Sequence, residues 1–432
     1  MLAWLDSHQN MERMLADARR PPPDMVTMRA LADVLGHPET ASPALHVTGT
    51  NGKTSTARCL TALLDAKGLR VGTFTSPHLE SINERLSADG VPIPDSELAD
   101  VLARLAGVET LLDSPRPMSW FEILTGAALT WFADRPVDVA VYEVGMGGRW
   151  DATNVVDASV AVVTNIGMDH LEFLGPTRAH VAAEKAGVVK AGSTLVLGEP
   201  DPELRGVFES QDPAEIWTTG REFGCSRNDL AVGGRFLDMW TPAGSYEGVW
   251  LDLHGSYQGE NFSAALAAAE AFFGEAIDDR LVREAAASVR SPGRLEIVGR
   301  DPLIVLDGAK NLEGAHRAAE ALAEEFGAAR SEVLVVGMLH GKDPSEMLRA
   351  LGAERARLVV ACPAPSPRTQ DPHEIAKAAE TLGCESRIAP GVAEALEIAV
   401  SEAHPEDLVL VTGSLYVVGA ARAALAVDDR GR

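Results

Sequence analysis

The sequence predicts an α/β protein in two parts, each a mostly parallel sheet with helices on both faces. Three observations predict it. Apolar runs of strand length recur without strict alternation at 43–48, 137–144 and 158–164, and again at 303–307, 332–337, 357–361 and 407–412. Stretches with helical spacing separate these runs. Ser291-Pro292-Gly293 is the best break in the second half and reads as a linker.

The elements follow in order. The first run, 43–48 (PALHVT), leads into a Gly-rich turn and a helix over about 53–67. A second strand covers 70–74, and helical stretches lie at 119–134, 176–190 and 258–274. Residues 221–257 are different: Gly-rich, with Trp240, Tyr246 and Trp250 and no helical period, they read as short antiparallel strands. Beyond the linker, strands alternate with helices near 311–327, 372–383, 391–404 and 414–426, the pattern of a smaller doubly wound domain. Residues 361–367 (ACPAPSP) read as a loop, and no internal repeat is present. The expected division is 1–292 and 293–432.

At 432 residues the chain exceeds one ordinary core. Lys and Arg total 38 against 63 Asp and Glu, a net charge of −25. That field repels nucleic acid and acidic membranes, so an anionic substrate has to be held by local cations and helix N-termini. No apolar run approaches the roughly 18 residues of a membrane span. Met1 to Arg20 lacks the apolar centre of an export signal, which gives a cytoplasmic expectation. Cys59, Cys225, Cys362 and Cys384 lie far apart without metal-site spacing and read as reduced thiols.

The strongest local signal is Gly49-Thr50-Asn51-Gly52-Lys53-Thr54-Ser55, between a strand and a helix. Glycines let backbone N–H groups approach phosphate oxygens, and the helix adds its positive end. Lys53 would bridge the outer phosphates and Thr54 would ligate Mg²⁺. The usual spacing asks for Gly where Val47 stands, so the loop is a variant. Glu143 ends a buried strand ahead of Gly145, Gly147 and Gly148, where open α/β sheets bind ligands. It is a candidate metal ligand, or else a solvated strand-end Glu. Ser76, in Ser76-Pro77-His78-Leu79, has a similar position, with a turn-forming Ser as the alternative.

Thr164-Asn165-Ile166-Gly167-Met168-Asp169-His170 follows another buried strand, and Asp169 and His170 are placed to reach metal or phosphate. Lys185, in the Ala-rich AAEKAG stretch, is by default a solvent lysine. Asp307-Gly308-Ala309-Lys310-Asn311 repeats the strand, Gly and helix-start design; Asp307 suits a ribose hydroxyl or a helix cap. Arg294, just past the linker, is placed to swing towards a phosphate.

The segments TGTNGKTST, SPHLESINERL, WFEILTGAAL, EVGMGGRWDATNV, TNIGMDHLEFLG, AAEKAGVVKAG, LHGSYQGEN, SPGRLE, LDGAKN and TGSLYVVG occur in that order. Over roughly residues 4 to 420 this set resembles the folylpolyglutamate synthase/dihydrofolate synthase family of the Mur ligase superfamily. The resemblance implies an N-terminal P-loop ATPase domain and a C-terminal Rossmann-like domain, with ATP between them. It implies transfer of phosphate from ATP to a folate-type carboxylate, then attack on the acyl phosphate by the amine of L-glutamate. One Mg²⁺ is expected with Thr54, Ser76 and Glu143, and a second near Glu143 and His170. Lys185 is implied to be carbamylated and to join the second metal, which reverses the solvent reading. Gln258, Asn261, Arg294, Asp307 and Ser414 match positions near the nucleotide, with Lys310 and Asn311 beside the phosphates. Ser76, His78, Phe121 and Glu122 fall on the pteroate/folate side. The expected partners are these small molecules only, with a monomeric chain and neither nucleic acid nor membrane.

Two residues depart from the family pattern. Thr54 stands where GTNGKGS has Gly, and Lys310 replaces the His of DGAHN. Lys310 keeps a positive charge but supplies no neutral imidazole. A Mur ligase acting on another acid is one alternative, although 48 residues before Gly49 are few for the sugar-nucleotide domain of such enzymes. An ATP-binding regulator damaged at Lys310 is another, against which Lys53, Glu143, His170 and Lys185 all argue.

Overall fold

A computed structural model of the chain describes residues 1–14 and 24–425. The end of the Met1–Arg20 stretch read for an export signal and the last residue of the helix expected to 426 lie outside the described residues.

Eight strands form the first sheet, in the spatial order Val91–Pro92, Leu86–Ala88, Val71–Phe74, Val139–Glu143, Ala44–Thr48, Val160–Val163, Thr194–Leu197 and Glu215–Thr218. Six of them run parallel; Leu86–Ala88 and Val91–Pro92 are added antiparallel at one edge. The pleat divides the side chains between two faces. Leu45, Val47, Val139, Val141 and Val160 enter one core with the helices Lys53–Ala66, Tyr257–Phe273 and Asp279–Ser288. Ala44, Phe74, Ala140 and Tyr142 enter the opposite core with Val26–Leu35, Asp95–Glu109 and Trp120–Asp134.

The antiparallel part is a three-stranded sheet of Gly224–Ala231, Gly234–Trp240 and Ser245–Leu251. Leu237, Met239, Val249 and Leu251 pack on the Tyr257–Phe273 helix, whose alanines at 264, 265 and 267–269 give the small surface needed between two layers.

The second sheet has six strands in the order Glu296–Gly299, Leu303–Leu306, Leu408–Thr412, Glu332–Val336, Ala356–Ala361 and Glu385–Ile388. Only the first pairs antiparallel. Helices Leu312–Phe326, Pro344–Ala350 and Pro372–Thr381 cover one face, and Val392–Glu402 with Leu415–Ala424 the other. This is the doubly wound pattern predicted. Residues 289–295, with Gly293 at φ +68°, carry the chain from one sheet to the other.

Several elements exceed the prediction. Thr194–Leu197 is a strand of four residues, too short for its period to register. Glu215–Thr218 and Glu385–Ile388 are edge strands with polar positions. The helix expected over 176–190 is Arg178–Lys185 followed by a tighter turn at Ala186–Val188, because Gly187 packs against the Arg149 backbone. Among the described residues no helix is long and apolar enough to cross a membrane.

Candidate active site

The phosphate-type loop leaves the carboxyl end of the central strand Ala44–Thr48. Gly52 sits in the left-handed region at φ +83°, and a Cβ there would strike the Asn261 amide. The loop is held by a neighbour. Asn165 Oδ1 accepts the backbone N–H of Asn51 at 2.9 Å and of Thr50 at 3.2 Å, while its Nδ2 donates to Asn51 O at 3.1 Å. Thr164 Oγ1 donates to Asn51 O at 2.6 Å, and the Thr50 hydroxyl accepts from Gly167 N at 2.9 Å. Two of the loop's N–H groups are thus already used. The N–H groups of the next residues, at the start of the Lys53–Ala66 helix, remain for an anion.

Lys53 Nζ folds back onto the carbonyls of Gly49 (3.1 Å) and Thr50 (3.2 Å). Burial, with the charge of Lys310, pushes its pKa down to about 8 against the pull of Glu143 and Asp169. Thr54 Oγ1 donates to Glu143 Oε1 at 2.8 Å, and Ser76 N donates to Glu143 Oε2 at 3.0 Å. Glu143 is buried, which raises its pKa against the opposing charge of Lys53. The structure therefore brings together the three residues expected at the first metal. Ser55 turns away to the Ser291 hydroxyl at 2.9 Å, so Thr54 supplies the hydroxyl beside Glu143.

Hard oxygen donors under a phosphate-type loop suit Mg²⁺. Among the described residues no three His, Cys, Asp or Glu side chains gather as a metal site. A Mg²⁺ bound beside Thr54 and Glu143 would take few protein donors and leave positions for phosphate and water.

The residues expected at a second metal each have partners of their own. Glu143 is engaged by Thr54 and Ser76, and Lys185 Nζ donates to Gly49 O at 2.6 Å. His170, at φ +54°, lies with Nε2 3.7 Å from Asp169 Oδ2. Burial lowers the His170 pKa to about 3 despite Asp169, which leaves a neutral imidazole. Lys185 is 4% exposed, which overturns the solvent reading. Burial first, then the charge of Lys53, holds its pKa well below the usual lysine value.

A cavity of about 490 Å³ opens between the two sheets, lined by Thr50–Ser55, Ser76, Glu143, Asn261, Arg294, Asp307 and Lys310. Several predicted residues stand outside its wall. Gln258, fully buried, accepts from Asn261 Nδ2 at 2.9 Å and so orients Asn261 from behind. Ser414 caps the Leu415–Ala424 helix through Tyr416 N, and Leu415 lines the cavity instead. Asp307 reaches the wall, where its oxygens accept from Leu295 N (3.0 Å) and Ala309 N (2.9 Å); the helix that follows is capped by Asn311, not by Asp307.

On the other side, Phe121 underlies Gly145 and tilts against Phe74 with centroids 5.7 Å apart. Glu122 is committed to a capping box with Ser119 and to both terminal nitrogens of Arg116 at 2.8 Å, so its carboxylate is not available to a substrate. His78 Nδ1 accepts from Arg85 Nε at 2.9 Å, and Arg85 grips Glu12 with two bonds of 2.8 and 2.7 Å.

Some residues carry more than their motifs announced. Asn165 belonged to a quoted segment but had no assigned role. Lys342 Nζ, in a loop that drew no attention, is 3.0 Å from Asp169 Oδ1. Arg178, Glu199, Phe223, Cys225 and Trp240 line the far end of the cavity and come from elements whose meeting no local pattern announces.

Comparison with known proteins places this geometry. Residues 118–269 match the Mur ligase middle domain, and residues 293–415 the Mur ligase, glutamate ligase domain. The dihydrofolate synthase/folylpolyglutamate synthase of Mycobacterium tuberculosis is 38% identical, covering 94% of this chain and 91% of the relative. The structure of Mycobacterium tuberculosis folylpolyglutamate synthase complexed with ADP superposes with a TM-score of 0.91 at 38% identity, over 99% of this chain and 98% of that one. Escherichia coli FolC in complex with DHPP and ADP gives 0.85 at 30% identity, over 98% and 97%.

Proposed function

The chain belongs to the folylpolyglutamate synthase/dihydrofolate synthase family of Mur ligases, and from that premise we propose how its residues divide the work and which acids it takes. It is an ATP-dependent ligase that adds L-glutamate to a folate-type carboxylate, and ATP and a divalent metal ion serve the reaction. Our reading is that it accepts both dihydropteroate and reduced folates bearing glutamate, through an acyl phosphate.

The observation that carries the reading is the meeting of Thr54, Ser76 and Glu143 beneath Lys53, in a cavity whose opposite wall holds Arg294 and Lys310. Phosphoryl transfer needs positioning and charge neutralisation more than covalent help. Lys53, Arg294 and Lys310 neutralise the transferring phosphate, and Asn261 with Asn311 positions the nucleotide and the loop. Bound Mg²⁺, held by Thr54, Ser76 and Glu143, would polarise phosphate oxygens. His170 and a carbamylated Lys185 would complete a second metal site once Lys185 leaves the Gly49 carbonyl. His78 and Phe121 face the acid substrate.

The division at 292/293 separates the ATPase part from the ligase part; the sheet boundaries support it. The charge of −25 supports a chain that binds neither nucleic acid nor acidic membranes, and family likeness supports a cytoplasmic monomer.

The test is a substrate panel of dihydropteroate against reduced folates, with ADP release followed and product glutamate number read by mass. Glutamate-dependent ADP release with both acids is expected. Release with only one narrows the reading to that acid, and release with neither removes it.

A further inference from the structure

The Leu312–Phe326 helix of the second unit is tied to the first unit at both ends, and the two ties differ in kind. At its C-terminal end, Arg235 from the three-stranded sheet meets Glu324 at 2.9 Å and Glu325 at 2.8 Å. Arg235 and Glu325 side chains are only 1% and 3% exposed, and Glu325 also accepts from His254 Nδ1 and Gly255 N, both at 2.6 Å. At the N-terminal end, Asn311 Nδ2 donates to Asp169 Oδ2 and to Asn51 Oδ1, each at 3.1 Å. Lys342 Nζ, on a side chain 36% exposed, completes this end at 3.0 Å from Asp169 Oδ1.

Separating an ion pair strands whichever charge is buried, so loss of Lys342 would leave the Asp169 carboxylate, 7% exposed, uncompensated, while Lys342 itself would meet water. The two ties are about 20 Å apart along the helix. Each tie therefore holds a buried charge, Arg235 with Glu325 at one end and Asp169 at the other, and Lys342 is the cation that meets solvent. The Asp169 tie matters because the 164–170 loop also holds the phosphate-type loop through Thr164, Asn165 and Gly167.

We infer that Lys342 and Asn311 are positioning residues of the ligase reaction, clasping Asp169 so that the second unit seats the phosphate loop and closes the cavity over the acyl phosphate. Neither residue touches the reacting atoms in this role. The inference rests on the reading of residues 49–55 as the ATP site. Phosphorylation of the carboxylate releases ADP once; a seated second unit keeps water from the acyl phosphate, so ADP goes on forming only when the amine of L-glutamate attacks the acyl carbon and displaces phosphate. A loosened clasp lets water attack there instead.

The experiment measures ADP formation from ATP and the acid substrate, with and without L-glutamate, for Lys342→Met, Lys342→Arg, Asp169→Asn and the Met/Asn double variant. Lys342→Met is expected to raise the glutamate-independent share about five- to tenfold. Lys342→Arg should bring that share back to within about twofold, because one bond to one Asp169 oxygen asks only for a positive donor within reach. The double variant should be no worse than Asp169→Asn alone, as for two residues acting through one contact. An unchanged share in Lys342→Met, a slower enzyme that stays fully coupled, or additive losses in the double variant would each overturn the clasp. Lys53→Ala separates this from the underlying reading. If it is inactive while Lys342→Met is coupled normally, only the clasp falls; if it keeps full turnover, the ATP-site reading falls and takes the clasp with it.

Discussion

Lys185 Nζ donates to the carbonyl oxygen of Gly49 at 2.6 Å, joining residues 136 positions apart at the base of the phosphate loop. The amine is buried, and burial with the charge of Lys53 lowers its pKa well below the usual lysine value, which favours the neutral form that reacts with carbon dioxide to give a carbamate. Lys185→Ala removes both the loop contact and any carbamate. Turnover is expected to fall by about 10²–10³, with partial rescue by short-chain carboxylates and a carbamate signal from ¹³C-labelled bicarbonate in the parent only. Near-normal turnover in the variant would make Lys185 a structural residue.

Lys310 lines the cavity beside Arg294 and contributes to the lowered pKa of Lys53, so its charge is felt where phosphate would lie. If charge is its whole contribution, Lys310→His should keep kcat within about tenfold, or ~1.4 kcal/mol of barrier. Steady-state kinetics decide it. A larger change in either direction shows that the imidazole and the ammonium do different work.

Thr54 gives the loop its hydroxyl at Glu143, because Ser55 is paired with Ser291. Thr54→Gly, which restores the family loop, should raise the Mg²⁺ concentration needed for half-maximal activity. It should also cost about 0.5–1 kcal/mol of stability through the first turn of its helix. Mg²⁺ titrations and urea unfolding measure the two effects separately. An unchanged Mg²⁺ requirement would place the metal's hydroxyl ligand elsewhere.

His46 gives a pH signature. It is buried on the central strand with Nε2 2.8 Å from Thr153 Oγ1, and burial with the charge of Lys190 depresses its pKa to about 3. The unfolded value is about 6.5. Between these values the unfolded chain binds a proton that the folded chain refuses, so stability present above pH 6.5 is lost as pH falls towards 3. At pH 4.5 the parent should have lost about 2–3 kcal/mol more than His46→Gln, relative to each at pH 7.5. Parallel acid limbs for the two proteins would show that His46 is protonated in the fold.

The two-sheet plan was legible because its central strands are buried on both faces and read as plain apolar runs, as Ala44–Thr48 and Val139–Glu143 do. Edge strands such as Glu385–Ile388 were not, because exposure removes the apolar signal. The Thr54, Ser76 and Glu143 group was legible residue by residue, since Glu143 ends a strand and Thr54 and Ser76 follow strands at the same sheet end. Glu122 was misassigned to substrate: a capping box needs only Ser119 three residues before it, and Arg116 then fills its carboxylate. Lys342 was missed because its meaning lies in Asp169, 173 residues away, with which it shares no sequence pattern.

The grip of Asn165 on Thr50 and Asn51 also bears on what nucleotide binding costs. Fixing one backbone residue takes roughly 1–2 kcal/mol of conformational entropy. Here that ordering is done during folding, by a side chain from the neighbouring strand end, rather than at the moment of binding. The amides of Thr50 and Asn51 should therefore exchange slowly with deuterium before any nucleotide is added, and Asn165→Ala should make them fast. In that variant each nucleotide would have to fold its own cradle, and the loss should appear in affinity before it appears in the chemical step.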